Sequence, residues 1–152
     1  MIRLGDYLRD GHVRLDLAAT EKDACILELA ETLRGHPAVR DWDALVRQVI
    51  RREKAAATAL GSGIAIPHAR TAAVTDFVAA LGRSRHGVDF GASDGEPARL
   101  ILLMAIPPAQ LTDYLQVLTH LSALLERGFV EKALVAQSPA EVIVALREVE
   151  GP

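Results

Sequence analysis

The segment Leu60-Gly61-Ser62-Gly63-Ile64-Ala65-Ile66-Pro67-His68-Ala69-Arg70 delivers one histidine at the end of a short apolar run, behind two glycines and a proline. An imidazole is partly neutral near pH 7 and nucleophilic, so it can take a phosphoryl group and give it up again. Such an acceptor needs one ring nitrogen unprotonated, the other held by a hydrogen bond, and donors for the phosphoryl oxygens. Gly61 and Gly63 allow backbone amides to approach an anion, Pro67 stiffens the approach and removes a competing N–H, and Arg52 and Arg70 offer planar guanidinium donors. No acidic cluster stands near His68 to repel a phosphate, and neither a metal nor a cofactor is required. Taken alone, Arg52 is most often a solvated cation stabilised at a helix C-terminus, and Arg70 reads equally as an exposed strand-end cation. His12, His36 and His86 sit beside turn residues, and the five histidines include no i,i+4 pair and no neighbouring cysteine, which argues against zinc.

The elements that must position these groups follow from periodicity. Thr20-Glu21-Lys22-Asp23 has the form of a capping box, and an apolar face from Ala24 to Leu33 before Gly35 predicts a helix over 21–34. Asp41 is the expected N-cap of a second helix over 42–54, with Leu45, Val46, Val49 and Ile50 at helical spacing and Arg51, Arg52 and Lys54 at its end. Short β-type runs then follow at Ile64–Ile66, Phe77–Gly82, Val88–Phe90 and Arg99–Ile106. Pro107-Pro108 closes the last, and the leucines from Leu111 to Leu125 predict a long amphipathic helix over 109–127. Shorter helices are expected over 129–137 and, after the Ser138-Pro139 start signal, over 139–148. Two helices, several strands and three helices describe an α/β fold with a mixed central sheet and helices on both faces.

At 152 residues, half of them apolar, the chain suits one domain spanning 1–152. Its 17 basic and 20 acidic residues are dispersed, leaving no basic stripe for nucleic acid. The charged N-terminus lacks the apolar core of a secretory signal, and the longest apolar run, Leu100 to Pro108, is far below the ~20 residues needed to span a bilayer. A lone Cys25 fits a reducing, cytoplasmic setting.

Arg52-Glu53-Lys54, then Gly63-Ile64-Ala65-Ile66-Pro67-His68, then the strand Leu100–Ile106 with Pro107-Pro108 and the leucine-rich helix, occur in the order and spacing of a known family. The chain resembles, over essentially its whole length, the fructose/mannitol-type EIIA domains of the bacterial phosphoenolpyruvate-dependent phosphotransferase system, including their nitrogen-regulatory branch. The resemblance implies that His68 is phosphorylated by the small phosphocarrier HPr or its counterpart, that Arg52 is its anion partner, and that the phosphoryl group goes to an EIIB or serves as a regulatory signal. Gly63, Arg70 and Tyr114 are the expected phosphate-binding residues. The sequence departs from the family at Ala69, where glycine is common, and at Tyr114, where a second active-site histidine is usual. His120 lies six residues on, about 600° of helix rotation, and so faces away from the position of Tyr114. Tyr114 also supports an alternative from another class: a non-catalytic regulatory module that binds a partner, such as a transporter or kinase, through the His68 cleft. Ile64 and Leu111 are the expected apolar contacts of a docking protein.

Overall fold

The computed structural model describes residues 2–151; Met1 and Pro152, the ends of the expected domain, lie outside the described residues. Two 3₁₀ turns, Leu4–Asp6 and Asp10–His12, precede β1 (Val13–Arg14), α1 (Lys22–Glu31) and α2 (Trp42–Ala55). Then come β2 (Ala59–Gly61), β3 (Ile64–Ala65), β4 (His68–Arg70), β5 (Val78–Val88) and β6 (Ala98–Ile106), followed by α3 (Leu111–Glu126), α4 (Phe129–Val135) and α5 (Pro139–Glu150). The sheet runs β1-β5-β6-β3-β2, with β4 also pairing β6. It is mixed: β5 and β6 are antiparallel, while β3 and β4 both run parallel to β6.

β6 is apolar along almost its whole length because both of its faces are covered. Leu100, Leu102, Met104 and Ile106 pack with Val117, Leu121 and Leu124 of α3 and with α4 and α5. The alternate residues Ile101, Leu103 and Ala105 pack with Cys25, Ile26 and Leu29 of α1 and with Leu45 and Val49 of α2. Period-two alternation thus divides one strand between two cores, and helices lie on both faces as expected.

The boundaries differ from expectation where local chemistry overrides pattern. Asp41 caps α2 through a bond from Ala44 N–H, 3.0 Å, and Ser138 caps α5 through Glu141 N–H, 3.2 Å. The Thr20 capping box does not form: Glu21 holds the N-cap position of α1 without a side-chain bond. Instead Glu28 reaches back from α1, its carboxylate accepting from Ala18 N–H and Ala19 N–H, the latter at 2.9 Å. α1 ends at Glu31, and 32–36 continue as successive i to i+3 turns. The runs expected at 77–82 and 88–90 join into one strand, and Phe90 lies beyond its end. Arg83 survives within that strand because its guanidinium donates to the carbonyls of Leu15, Ala133, Leu134 and Ala136, the last at 2.7 Å. No helix among the described residues is long and apolar enough to cross a membrane.

Candidate functional site

The strand that carries His68 is broken by its own sequence. β3 pairs Ile64 and Ala65 with Leu100 and Ile101; β4 resumes on the same edge, pairing His68 with Met104. Pro67, without an N–H, contributes only its carbonyl, which accepts from Met104 N–H at 3.0 Å. Ile66 stands between the two ladders, and its carbonyl accepts a 2.7 Å bond from His68 Nδ1. A carbonyl has no proton to give, so Nδ1 must carry one.

The tautomer follows. Burial pushes the His68 imidazole below its ordinary titration range; the Ile66 carbonyl opposes this, the Arg52 charge reinforces it and Glu53 opposes it. At neutral pH the ring is therefore neutral, with its proton on Nδ1 and a lone pair on Nε2. That lone pair accepts from the hydroxyl of Tyr114, 2.6 Å away. The two rings are tilted, with centroids 5.4 Å apart. His68 is only 5 % exposed, yet it forms the floor of an open cleft of about 580 Å³.

Cations rim that cleft. Its lining comprises Gln48, Arg51, Arg52 and Ala55 from α2, His68, Ala69 and Arg70 from β4, and Leu111 and Tyr114 from α3, with no carboxylate among them. Gln48, Arg51 and Arg52 share one helix face at i, i+3 and i+4 spacing. The rotation of that face is set by Glu53, almost fully buried, whose carboxylate accepts from Thr58 N–H at 3.1 Å and Thr58 Oγ1–H at 2.7 Å. With Glu53 turned inward, Arg52, about 100° around the helix, is turned to the cleft. One nitrogen of Arg52 donates to Ala56 O at 2.9 Å, so this residue is both a helix-end cation and a cleft residue. The Arg70 guanidinium lies over the Tyr114 ring, 5.8 Å from its centroid, within cation–π range.

His68, Arg52, Arg70 and Tyr114 are thus brought together; Gly63 is not. It sits in the β2–β3 turn with φ +83°, and its carbonyl accepts from Arg99 N–H and Leu100 N–H at the opposite end of β6. Ile64 and His68 pair with residues four apart on β6, about 13 Å at strand rise, because the chain between them stays extended. The turn glycines therefore serve the hairpin, where Ser62 N–H donates to Asp94 at 2.8 Å. Ile64 is buried rather than available for docking, whereas Leu111 is 47 % exposed at the cleft edge. Ala69 occupies ordinary strand backbone, since Ser62 is the only non-glycine with positive φ among the described residues, so the missing glycine leaves no strain. His120 faces α5, its Nε2 2.6 Å from Glu150. Arg51, expected only as a helix-end charge, and Gln48, which no motif marks, also line the cleft; their i, i+3 and i+4 spacing with Arg52 is the signal that links them.

Comparison with known proteins accords with this fold. The fructose-specific EIIA component of Haloferax volcanii is 37% identical over 138 residues, covering 90% of either chain. The fructose-specific EIIABC component of Bacillus subtilis is 32% identical over 143 residues, 94% of this chain, which spans only 22% of that relative. Among solved structures, the nitrogen regulatory protein IIA-Ntr of Neisseria meningitidis superposes with a TM-score of 0.85 at 30% identity, covering 95% of this chain and 99% of that one. The mannitol enzyme IIA of Escherichia coli, solved in complex with phosphorylated enzyme IIB, gives 0.77 at 26% identity over 91% of this chain and 96% of that one. The profile described as "Phosphoenolpyruvate-dependent sugar phosphotransferase system, EIIA 2" matches residues 6–149, and the chain belongs to that family of phosphotransfer proteins.

Proposed function

We propose that this protein carries a phosphoryl group on Nε2 of His68, received from an HPr-type phosphocarrier and passed to an EIIB-type acceptor or held as a regulatory signal. The observation that carries the reading is the preset imidazole: neutral, with Nδ1–H committed to Ile66 O and a lone pair on the nitrogen facing the cleft. Arg52 and Arg70 supply positive charge where phosphoryl oxygens would lie, without a carboxylate to oppose them. Leu111 offers an apolar contact at the rim for the docking protein.

Incubation with phosphoenolpyruvate, Enzyme I and HPr, followed by intact mass and site mapping under alkaline conditions, tests this. A gain of one phosphoryl group on His68 is expected, and its absence with HPr fully phosphorylated would exclude the reading. A second reading, a regulatory module that binds a partner through an unphosphorylated cleft, is favoured by one observation: the Tyr114 hydroxyl already occupies the Nε2 lone pair.

A further inference from the structure

That occupied lone pair bears on the chemistry itself. We propose that Tyr114 is a catalytic residue that hands its hydroxyl from Nε2 of His68 to the incoming phosphoryl group, and that a phenol in this place gives the site a hydrogen-bond donor without the change of charge that an imidazole there would undergo. The proposal rests on His68 being the phosphoryl acceptor.

The hydrogen-bond inventory leaves little freedom. Nδ1 is a donor to Ile66 O, so Nε2 is an acceptor and the phenol is the donor. In transfer, the Nε2 lone pair forms the new N–P bond while the donor's N–P bond breaks, its electron pair staying on the departing nitrogen. His68 keeps its Nδ1 proton on Ile66 O, and a donor imidazole protonated on its other nitrogen leaves neutral, so no proton crosses the interface. Once Nε2 is bonded to phosphorus it can accept nothing, and the phenol proton needs a new acceptor. The phosphoryl oxygens on that same nitrogen are the acceptors within reach of a short swing of the ring. Arg70, stacked over the ring, stays beside it on that path.

The charged groups around this pair come from α2 and β4. From α2 they are Arg51, Arg52 and the buried Glu53, and from β4 Arg70; α3 brings Leu111 and Tyr114 itself. None is a histidine. An imidazole in the position of Tyr114 would be a charged donor below about pH 6.5 and a neutral one above it, whereas a phenol is an uncharged hydroxyl donor.

The test uses phosphoramidate, a small donor that loses ammonia as the N–P bond to His68 forms and needs no protein docking. Rates of His68 labelling are measured for wild type, Tyr114→Phe and Tyr114→His between pH 6 and 9, each variant expressed as a ratio to wild type so that the reagent's own titration cancels. We expect Tyr114→Phe to be slower by about tenfold at every pH, the loss of one hydrogen bond to a charged group. Tyr114→His should match wild type at pH 6 and fall several-fold by pH 8. A Tyr114→Phe rate equal to or above wild type would overturn the proposal, leaving the phenol as a mere block on the nitrogen, as would a pH-independent ratio for Tyr114→His. Failure of wild type to label at His68 would instead remove the carrier reading on which the proposal stands. If Tyr114→Phe lacks the wild-type melting transition, the pH ratio of Tyr114→His decides alone.

Discussion

A buried and a half-buried histidine of this molecule make the same short bond to opposite effect. His68 and His120 each place Nε2 2.6 Å from an oxygen. At His68 the oxygen belongs to a phenol, which donates, and the nitrogen keeps its lone pair. At His120 it belongs to Glu150, which also accepts from Leu4 N–H and Gly5 N–H at 2.8 Å each. A carboxylate with three donors is satisfied, and it fixes a proton on Nε2 of His120, so that nitrogen cannot attack anything. The position of Glu150 at the C-terminal end of α5 opposes the helix dipole. The free amides of the first 3₁₀ turn compensate for this, and the pair clasps the two ends of the chain. Gly5 is required there, since a Cβ would lie 2.8 Å from Glu150 Oε1. What decides whether a histidine here keeps a lone pair on Nε2 is the identity of the group on each side of the ring.

The sharpest way to separate the two is to delete His68 and the carboxylate that holds His120. His68→Ala is expected to abolish acid-labile, base-stable phosphorylation by HPr with the melting transition retained; label persisting at full level would end the comparison. Glu150→Ala should leave phosphorylation of His68 intact but lower stability by about 3–5 kcal/mol in denaturant unfolding, because three buried donors lose their acceptor. Arg52→Ala should slow transfer by about 100-fold, near 2.7 kcal/mol, if it faces the developing charge; an unchanged rate would return it to a helix-end cation. The pH profile is a subtler discriminator. Because the His68 pKa is lowered, its neutral form persists as pH falls below the ordinary imidazole value of about 6.5, so the labelling rate should decline only at lower pH than a free imidazole would. Smallest of all, Gly63→Ala should leave the rate unchanged and cost about 1 kcal/mol of stability through its left-handed backbone.

Much of the site was legible because its parts lie close in the chain. The apolar run into Pro67-His68, the basic end of α2 and the leucine face of α3 each carry a local signal, and the structure assembles them around one cleft. The misreadings arise where space and sequence diverge. Gly63 is five residues from His68 and reads as part of its loop, yet extended backbone carries the turn to the far end of β6. β1, β2 and β4 are two or three residues long, too short for any periodicity to register. Glu150 and its partners at Leu4 and Gly5 are about 146 residues apart, and no local pattern announces a carboxylate that is 8 % exposed. Arg83 divides a strand by composition but not in fact, since α4 supplies the carbonyls that receive it.

The interruption at Ile66-Pro67 has a consequence for protein engineering. A carbonyl released from its ladder by a following proline, two residues ahead of a histidine, selects which nitrogen of that ring is nucleophilic using backbone alone. The instruction is three residues long, Ile66-Pro67-His68, and asks of its host only an edge alongside a parallel neighbour. Grafted onto such an edge of an unrelated sheet, it would preset an imidazole tautomer with a backbone carbonyl in place of a carboxylate.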